Sequence, residues 1–360
     1  MATSSLYDST RTTLAARLPD ARDSQLDTLA LVLVGITQSV AAQIGKIARA
    51  MPVDTTQVIK EQRLRRFLDN DRITQGIHYQ PLVQAALRGL KGQKVHVLID
   101  RVLLRDNHNV LVVSVGFRRR SIPLAWSVLS HRGKSNRTDQ QTLLSQALAL
   151  LPEGVRVTVH GDSEFRSWEL FSWLRERGAD VFLGMQGNTY VRMGRDGERR
   201  LLHDWLVDRA TIVYLNDVYV TEDGLGPVSV LAWWGKDDDN KPIVRAVMTN
   251  LAATHQTYLR GRHRMWIETV FRDWQSGGFH LDRSGIVDGE RIVRLLLPLA
   301  IAYLWLVSLG RWVVKKGYRR LIDDGTAQSW HYSLFQLGVG WKERLASYTL
   351  AIPVLLYIYL

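Results

Sequence analysis

The stretch Val95–Asp100 reads VHVLID, and its reading decides the fold. Val95, Val97 and Ile99 alternate with His96, Leu98 and Asp100, the two-residue period of a strand whose last residue is an aspartate. A second stretch, Val157–Asp162 (VTVHGD), repeats the pattern, with Gly161 permitting a sharp turn into Asp162. In α/β sheets, residues at the carboxyl ends of strands point into the crevice where such sheets place their sites. A third stretch, Arg264–Gln275 (RMWIETVFRDWQ), has a helical period instead, with Glu268 near its middle. Arg264, Glu268, Arg272 and Gln275 recur about one turn apart and share one face, while Ile267, Val270 and Phe271 occupy the other.

Working outward from VHVLID, the segments Lys94–Asp100, Asn109–Gly116 and Arg119–Leu129 are rich in Val, Ile and Leu and read as three strands. A helix over Asp139–Leu151 leads through Pro152-Glu153-Gly154 into the strand Val155–Gly161. A second helix, Ser167–Arg177, ends at Gly178 and leads to the strand Ala179–Leu183. Three strands followed by alternating helix and strand is the order of an RNase H-like α/β core. In that topology the first and fourth strands are neighbours, which brings Asp100 and Asp162 to one edge, with Glu268 on the later helix completing the set.

The expected fold class is therefore α/β: an RNase H-like core interrupted by an all-β insertion, with helical regions at both ends. Residues 1–90 read as helical and DNA-binding, 91–187 as the first part of the core, and 188–252 as the β insertion. Residues 253–310 read as the second part of the core with its glutamate helix, and 311–360 as a C-terminal helical region. Within the first region, Gln25–Ala50 reads as one long helical stretch stopped by Met51-Pro52. Asp54 or Thr55 is placed to cap the next helix, whose apolar side carries Val58, Ile59, Leu64, Phe67 and Leu68 and whose other side carries Lys60, Arg63, Arg65 and Arg66. That pair is compatible with a helix-turn-helix reader and equally with a solvated basic face on a bundle. In the insertion, short strands alternate with Asp-Gly, Gly-Pro and Lys-Asp-Asp-Asp-Asn turns.

The chain has 360 residues with a formal net charge of +12, a balance that favours a polyanionic partner, nucleic acid before membrane. It contains no cysteine, which excludes disulfides, thiolate metal sites and cysteine nucleophiles and fits a reducing compartment. The start of the chain, Met1–Arg22, lacks the apolar core of a signal peptide. The longest apolar run, Leu295–Gly310, falls short of a bilayer span and reads as a buried helix carrying Pro298. No membrane partner is expected.

Three carboxylates without Cys or His form a hard oxygen donor set suited to Mg²⁺ or Mn²⁺. Two such ions can activate a water or a 3′-hydroxyl and stabilise the leaving oxygen in an in-line displacement. Each part has a plainer reading: a strand-end aspartate is often a turn residue, and Arg264–Glu268–Arg272 alone is an ion-pair ladder worth a few tenths of a kcal/mol. The ordered triple is what points to phosphoryl transfer. Glu164 lies close enough to Asp162 to compete as a ligand, and His160, two before Asp162, is either a proton relay or a strand histidine. Arg118-Arg119-Arg120 and the loop His131-Arg132-Gly133-Lys134, Asn136-Arg137 are basic segments suited to a phosphate backbone.

With these residues in view, the chain resembles the DDE transposases of bacterial insertion sequences, in the cut-and-paste group with a β-strand insertion before the catalytic glutamate. The resemblance covers roughly 55–310. It rests on the strand ending in Asp100, on Ser121-Ile122-Pro123-Leu124 after a basic turn, and on His160-Gly161-Asp162-Ser163-Glu164-Phe165. Phe271-Arg272-Asp273-Trp274 and Gly278-Phe279-His280 after Glu268 belong to the same set. Of the group's Tyr, Arg, Glu, Lys signature, Arg264 and Glu268 match, whereas the Tyr position is Gly261 and the Lys position Gln275, with Tyr258, Arg260 and Arg262 as nearby substitutes.

The resemblance implies a dimeric cytoplasmic enzyme, nucleoid-associated when bound to DNA, that cuts the terminal inverted repeats of an element and joins them to double-stranded target DNA. Asp100, Asp162 and Glu268 would be its catalytic, metal-binding residues, holding two Mg²⁺ for which Mn²⁺ can substitute. Arg63, Arg65, Arg66, Arg119, Arg132, Lys134, Arg137, Arg264, Arg272 and Gln275 would contact DNA. Members with this insertion excise through a DNA hairpin and stack an aromatic residue on a flipped base, for which Trp233 and Trp234 are candidates, although tandem aromatics on a strand also serve as core. An RNase H-like nuclease that cuts without joining, and a non-catalytic DNA-binding relative, remain the alternatives.

Overall fold

The computed structural model describes residues 2–104, 108–129, 133–237, 239–326 and 329–358. The chain opens with helices α1 (Ala2–Ala15), α2 (Asp23–Ser39), α3 (Ile44–Ala50), α4 (Gln57–Asp69), α5 (Gln75–His78) and α6 (Gln80–Leu87). Gln25–Ala50 is thus two helices rather than one: Val40 takes a left-handed φ of 45°, and α2 and α3 meet at 102°. The cap of α4 is Thr56, one residue beyond the expected pair, its hydroxyl accepting from the Ile59 amide. On α4, Leu64, Phe67 and Leu68 are buried, and Arg63, Arg65 and Arg66 are exposed.

Strands β1 (Lys94–Leu104), β2 (His108–Phe117) and β3 (Arg120–Leu129) form an antiparallel meander. Helix α7 (Arg137–Leu148) crosses over to β4 (Arg156–Gly161), which lies parallel beside β1, and α8 (Trp168–Glu176) crosses over to β5 (Asp180–Gln186), parallel to β4. Asn136 and Ser167 cap the two crossover helices through side-chain oxygens that accept from backbone amides. The strand order β3-β2-β1-β4-β5 is that of an RNase H-like core.

The following strands β6 (Tyr190–Met193), β7 (Arg200–Leu201), β8 (Ile212–Val220), β9 (Leu225–Lys236) and β10 (Pro242–Thr249) do not form a second sheet. Strand β10 pairs antiparallel with β5, so the insertion continues the core into one 10-stranded sheet. Helices α9 (His255–Gly261) and α10 (Trp266–Trp274) return the chain to the core, where α10 lies against β1, β2 and β3. Helix α11 (Gly289–Lys315) is long and apolar enough to cross a membrane, yet nearly all of its apolar surface is buried. It packs against β3, α2, α4 and α12 (Leu334–Ser347), as the Leu-rich run around Pro298 leads one to expect of a core helix.

Candidate active site

The sheet register brings Asp100 and Asp162 together. Ile99 pairs with Gly161 across the parallel β1–β4 ladder, so the two aspartates are the next residues on adjacent strands. Asp100 does not end its strand: β1 runs on to Leu104 because β2 remains paired with it as far as His108. The site edge exists because β4 stops. Past Gly161 the chain turns, with Asp162 capping the 3₁₀ turn Ser163–Phe165 by accepting from the Glu164 amide at 2.8 Å. Gly184 of β5 makes room for this turn, since a Cβ there would come within 2.6 Å of the Ser163 nitrogen.

Glu268 sits in the first turn of α10, near its start rather than its middle. Arg264 precedes the helix in a 3₁₀ turn, Arg262–Met265, and its guanidinium lies between the carboxylates, 3.5 Å from Asp100 Oδ2 and 3.3 Å from Glu268 Oε1. Burial pushes the Asp100 carboxyl up to about 7, the Asp162 and Glu268 charges adding to the rise while the Arg101 amide and Arg264 oppose it. The three acids are therefore electrostatically coupled at one place. Three carboxylates with no sulfur are a donor set that fits a hard divalent cation.

Helix α10 is held close to the sheet by Gly116, Trp266, Arg120 and Asp273. A Cβ on Gly116 of β2 would lie 2.8 Å from the Trp266 ring, so only glycine admits this approach. Arg120 is not a phosphate contact of the basic turn: it is buried in β3 and pairs with Asp273 of α10 at 2.5 Å, and the Tyr303 hydroxyl of α11 donates to the same carboxylate. Asp273 falls on the apolar side of α10 beside Val270 and Trp274, and a lone charge on an apolar face was the signal available for it.

Glu164 does not face the aspartates as a rival ligand. It receives a bidentate Arg101 guanidinium at 2.9–3.2 Å and both the amide and hydroxyl of Ser135 at 2.9 Å. Burial raises its pKa, but Arg101 and Ser135 outweigh that and hold it below the ordinary value. His160 is fully buried with Nε2 2.9 Å from His96 Nδ1, so its hydrogen-bonding partner is a histidine rather than a carboxylate.

The other expected contacts scatter. Arg118 and Arg119 form a two-residue hairpin turn with φ of 49° and 64°, both exposed. Lys134 and Arg137 are exposed, and Arg132 lies outside the described residues. Arg272 is exposed on α10, whereas Gln275 lies beyond the helix and donates to the Leu103 carbonyl at 3.3 Å, so the expected four-residue face stops at Arg272. Arg63 and Arg66 line a cleft of about 360 Å³ with Ser24, Gln25 and Gln62. Trp233 stands edge-on to Tyr258 of α9 at 5.1 Å, while Trp234 packs against the core.

The model of the transposase DDE domain family matches residues 107–305, more than half of the chain. The chain belongs to this family. Asp162 and Glu268 fall inside the matched span, and Asp100 precedes it. Divalent metal use accompanies membership of the DDE transposase family. Among solved structures, this transposase domain is similar to a piggyBac transposase synaptic complex with hairpin DNA, at 10% identity, TM-score 0.42, and coverage of 97% of this chain and 78% of that one. It is also similar to Marinitoga piezophila Argonaute, at 10% identity, TM-score 0.27, and coverage of 62% and 34%. No curated protein sequence gives a significant match.

Proposed function

We propose that this transposase cleaves the ends of a DNA element and joins them to target DNA by phosphoryl transfer with two divalent ions, Mg²⁺ or in its place Mn²⁺. The observation that carries the reading is that Asp100 stands beside Asp162 on adjacent strands and is joined to Glu268 through the Arg264 guanidinium between them. Asp100, Asp162 and Glu268 would hold the ions, which supply an activated water or 3′-hydroxyl and a stabilised leaving oxygen.

The chain's own groups do the positioning. Asp100 and Asp162 are fixed by adjacent strands, and half-exposed Glu268 approaches from a helix pinned by Trp266 and Asp273. Arg264 screens the repulsion among the acids and is placed to meet a phosphate oxygen entering between them. Arg63, Arg65, Arg66, Arg119, Lys134, Arg137 and Arg272 present exposed charge for the DNA backbone. Trp233, unlike Trp234, lies beside an aromatic neighbour outside the core, which makes it the candidate to stack on an unpaired base. Two copies acting together on paired DNA ends complete the reading.

The test is a purified chain incubated with Mg²⁺ and donor DNA carrying candidate terminal inverted repeats. Cleavage with joined products is the expected result. Cleavage that never yields joined product would mean a nuclease, and binding without cleavage would mean a non-catalytic DNA-binding relative.

A further inference from the structure

We propose that His96, His160 and His263 form a site for a borderline transition-metal dication of the Zn²⁺ class, distinct from the carboxylate set. The three imidazoles come from β1, β4 and the 3₁₀ turn before α10, and each offers a nitrogen within 4.8 Å of the others. His96 Nδ1 and His160 Nε2 are already 2.9 Å apart. The His96 and His263 rings lie 4.1 Å apart, and Trp266 closes one side at 4.2 Å from His263.

Donor chemistry separates the two sites. Imidazole nitrogen favours Zn²⁺, Co²⁺, Ni²⁺ and Cu²⁺, whereas Mg²⁺ favours carboxylate oxygen. The histidine group contains no carboxylate among the described residues, whereas Asp100, Asp162 and Glu268 bring only carboxylate oxygen. A single His96–His160 hydrogen bond gives no role to the third ring. His96 and His263 are only partly buried, which leaves a route for an ion. Arg260 and Arg264 face the cluster and weaken its affinity without removing its nitrogen preference.

Position gives the site its consequence. His96 is on the strand that carries Asp100, His160 on the strand that leads to Asp162, and His263 immediately precedes Arg264. Zn–N bonds of about 2.0–2.1 Å would fix one nitrogen from each of the two strands and the 3₁₀ turn around a single ion. An ion here therefore staples the three carriers of the acidic residues, as a structural metal rather than a reacting one.

The full chain, stripped with chelator, is titrated with Co²⁺ and followed by visible absorption, then by displacement with Zn²⁺. One Co²⁺ per chain with the intense bands of a low-coordinate nitrogen site is expected, abolished in His263→Gln and His96→Asn and kept in Glu268→Gln. Unfolding of the unsubstituted protein provides an independent readout: Zn²⁺ at a hundredfold excess over its Kd is expected to raise the midpoint by about 2–5 °C, and Mg²⁺ at equal concentration is not. Absence of the bands, their persistence in both histidine variants, their loss in Glu268→Gln, or equal stabilisation by Mg²⁺ would each overturn the proposal.

Discussion

The Arg120 guanidinium of β3 lies 2.5 Å from the Asp273 carboxylate of α10, with both groups buried, so a strand on one side of the core holds the helix that carries Glu268. Burial pushes Asp273 up to about 6 from 3.8, although Arg120, Arg272 and Tyr303 pull it back. A carboxyl whose folded pKa is raised contributes stability that is full below its unfolded value and is lost as pH rises through the folded one. Arg120→Met removes the nearest counter-charge, and the expected loss is about 3–5 kcal/mol at pH 7.5. The loss should shrink toward pH 5, where Asp273 takes up a proton. Urea unfolding at both pH values checks this, and equal losses would sink it.

The acidic triple predicts a separation of binding from chemistry. Asp100→Asn, Asp162→Asn and Glu268→Gln should each lower DNA cleavage by at least about 10³-fold while the affinity for donor DNA stays within a few-fold of the starting value. Gel-shift and cleavage assays on the same preparations decide it. Full cleavage by any one variant removes that residue from the site.

At Gly116 the prediction concerns geometry. Gly116→Val places a side chain where the Trp266 ring stands, and the expected cost is about 1–3 kcal/mol with a loss of cleavage larger than the loss of stability explains. Gly116→Val combined with Trp266→Ala should regain stability. If the double variant is no more stable than the single, the contact does not set the helix position.

Glu164 should behave as a structural anion. Glu164→Gln forfeits charge-assisted bonds to Arg101 and Ser135, an expected loss of about 2 kcal/mol. Because its folded pKa is depressed, that stability is present above the ordinary carboxylate value of 4.5 and disappears as pH falls through the lowered one. The variant and the unsubstituted protein should therefore converge in acid, which denaturant titration across pH 3–7 would show. Retained Mg²⁺-dependent cleavage in this variant is also expected.

On α4, Arg63→Ala, Arg65→Ala and Arg66→Ala together should weaken DNA binding and flatten its dependence on salt. The log–log slope should fall by up to about 0.9 for each phosphate that the protein no longer neutralises. An unchanged slope would mean that this exposed basic face does not meet DNA.

Much of the architecture was legible locally. Alternation in Val95–Asp100 and Val157–Asp162 marked strands, the period of Arg264–Trp274 marked a helix, and the order of elements marked an RNase H-like core. Local patterns report burial on one face or two, which is why the boundaries slipped where pairing partners decided them. Strand β1 continues past Asp100 because β2 stays beside it, and Gln25–Ala50 bends at Val40 although every residue in it is compatible with helix.

What the sequence by itself determined is the inventory: three separated acids in strand, strand and helix settings, a basic excess, and no thiol chemistry. Only the tertiary structure decided which groups meet. The termination of β4 beside β1 made an edge for Asp100 and Asp162, Arg264 entered between Asp100 and Glu268, and Glu164 was withdrawn by Arg101. The physical reason is distance along the chain. Period and propensity act over a few residues, whereas charge pairing and close packing act between groups that only folding brings within a few ångströms.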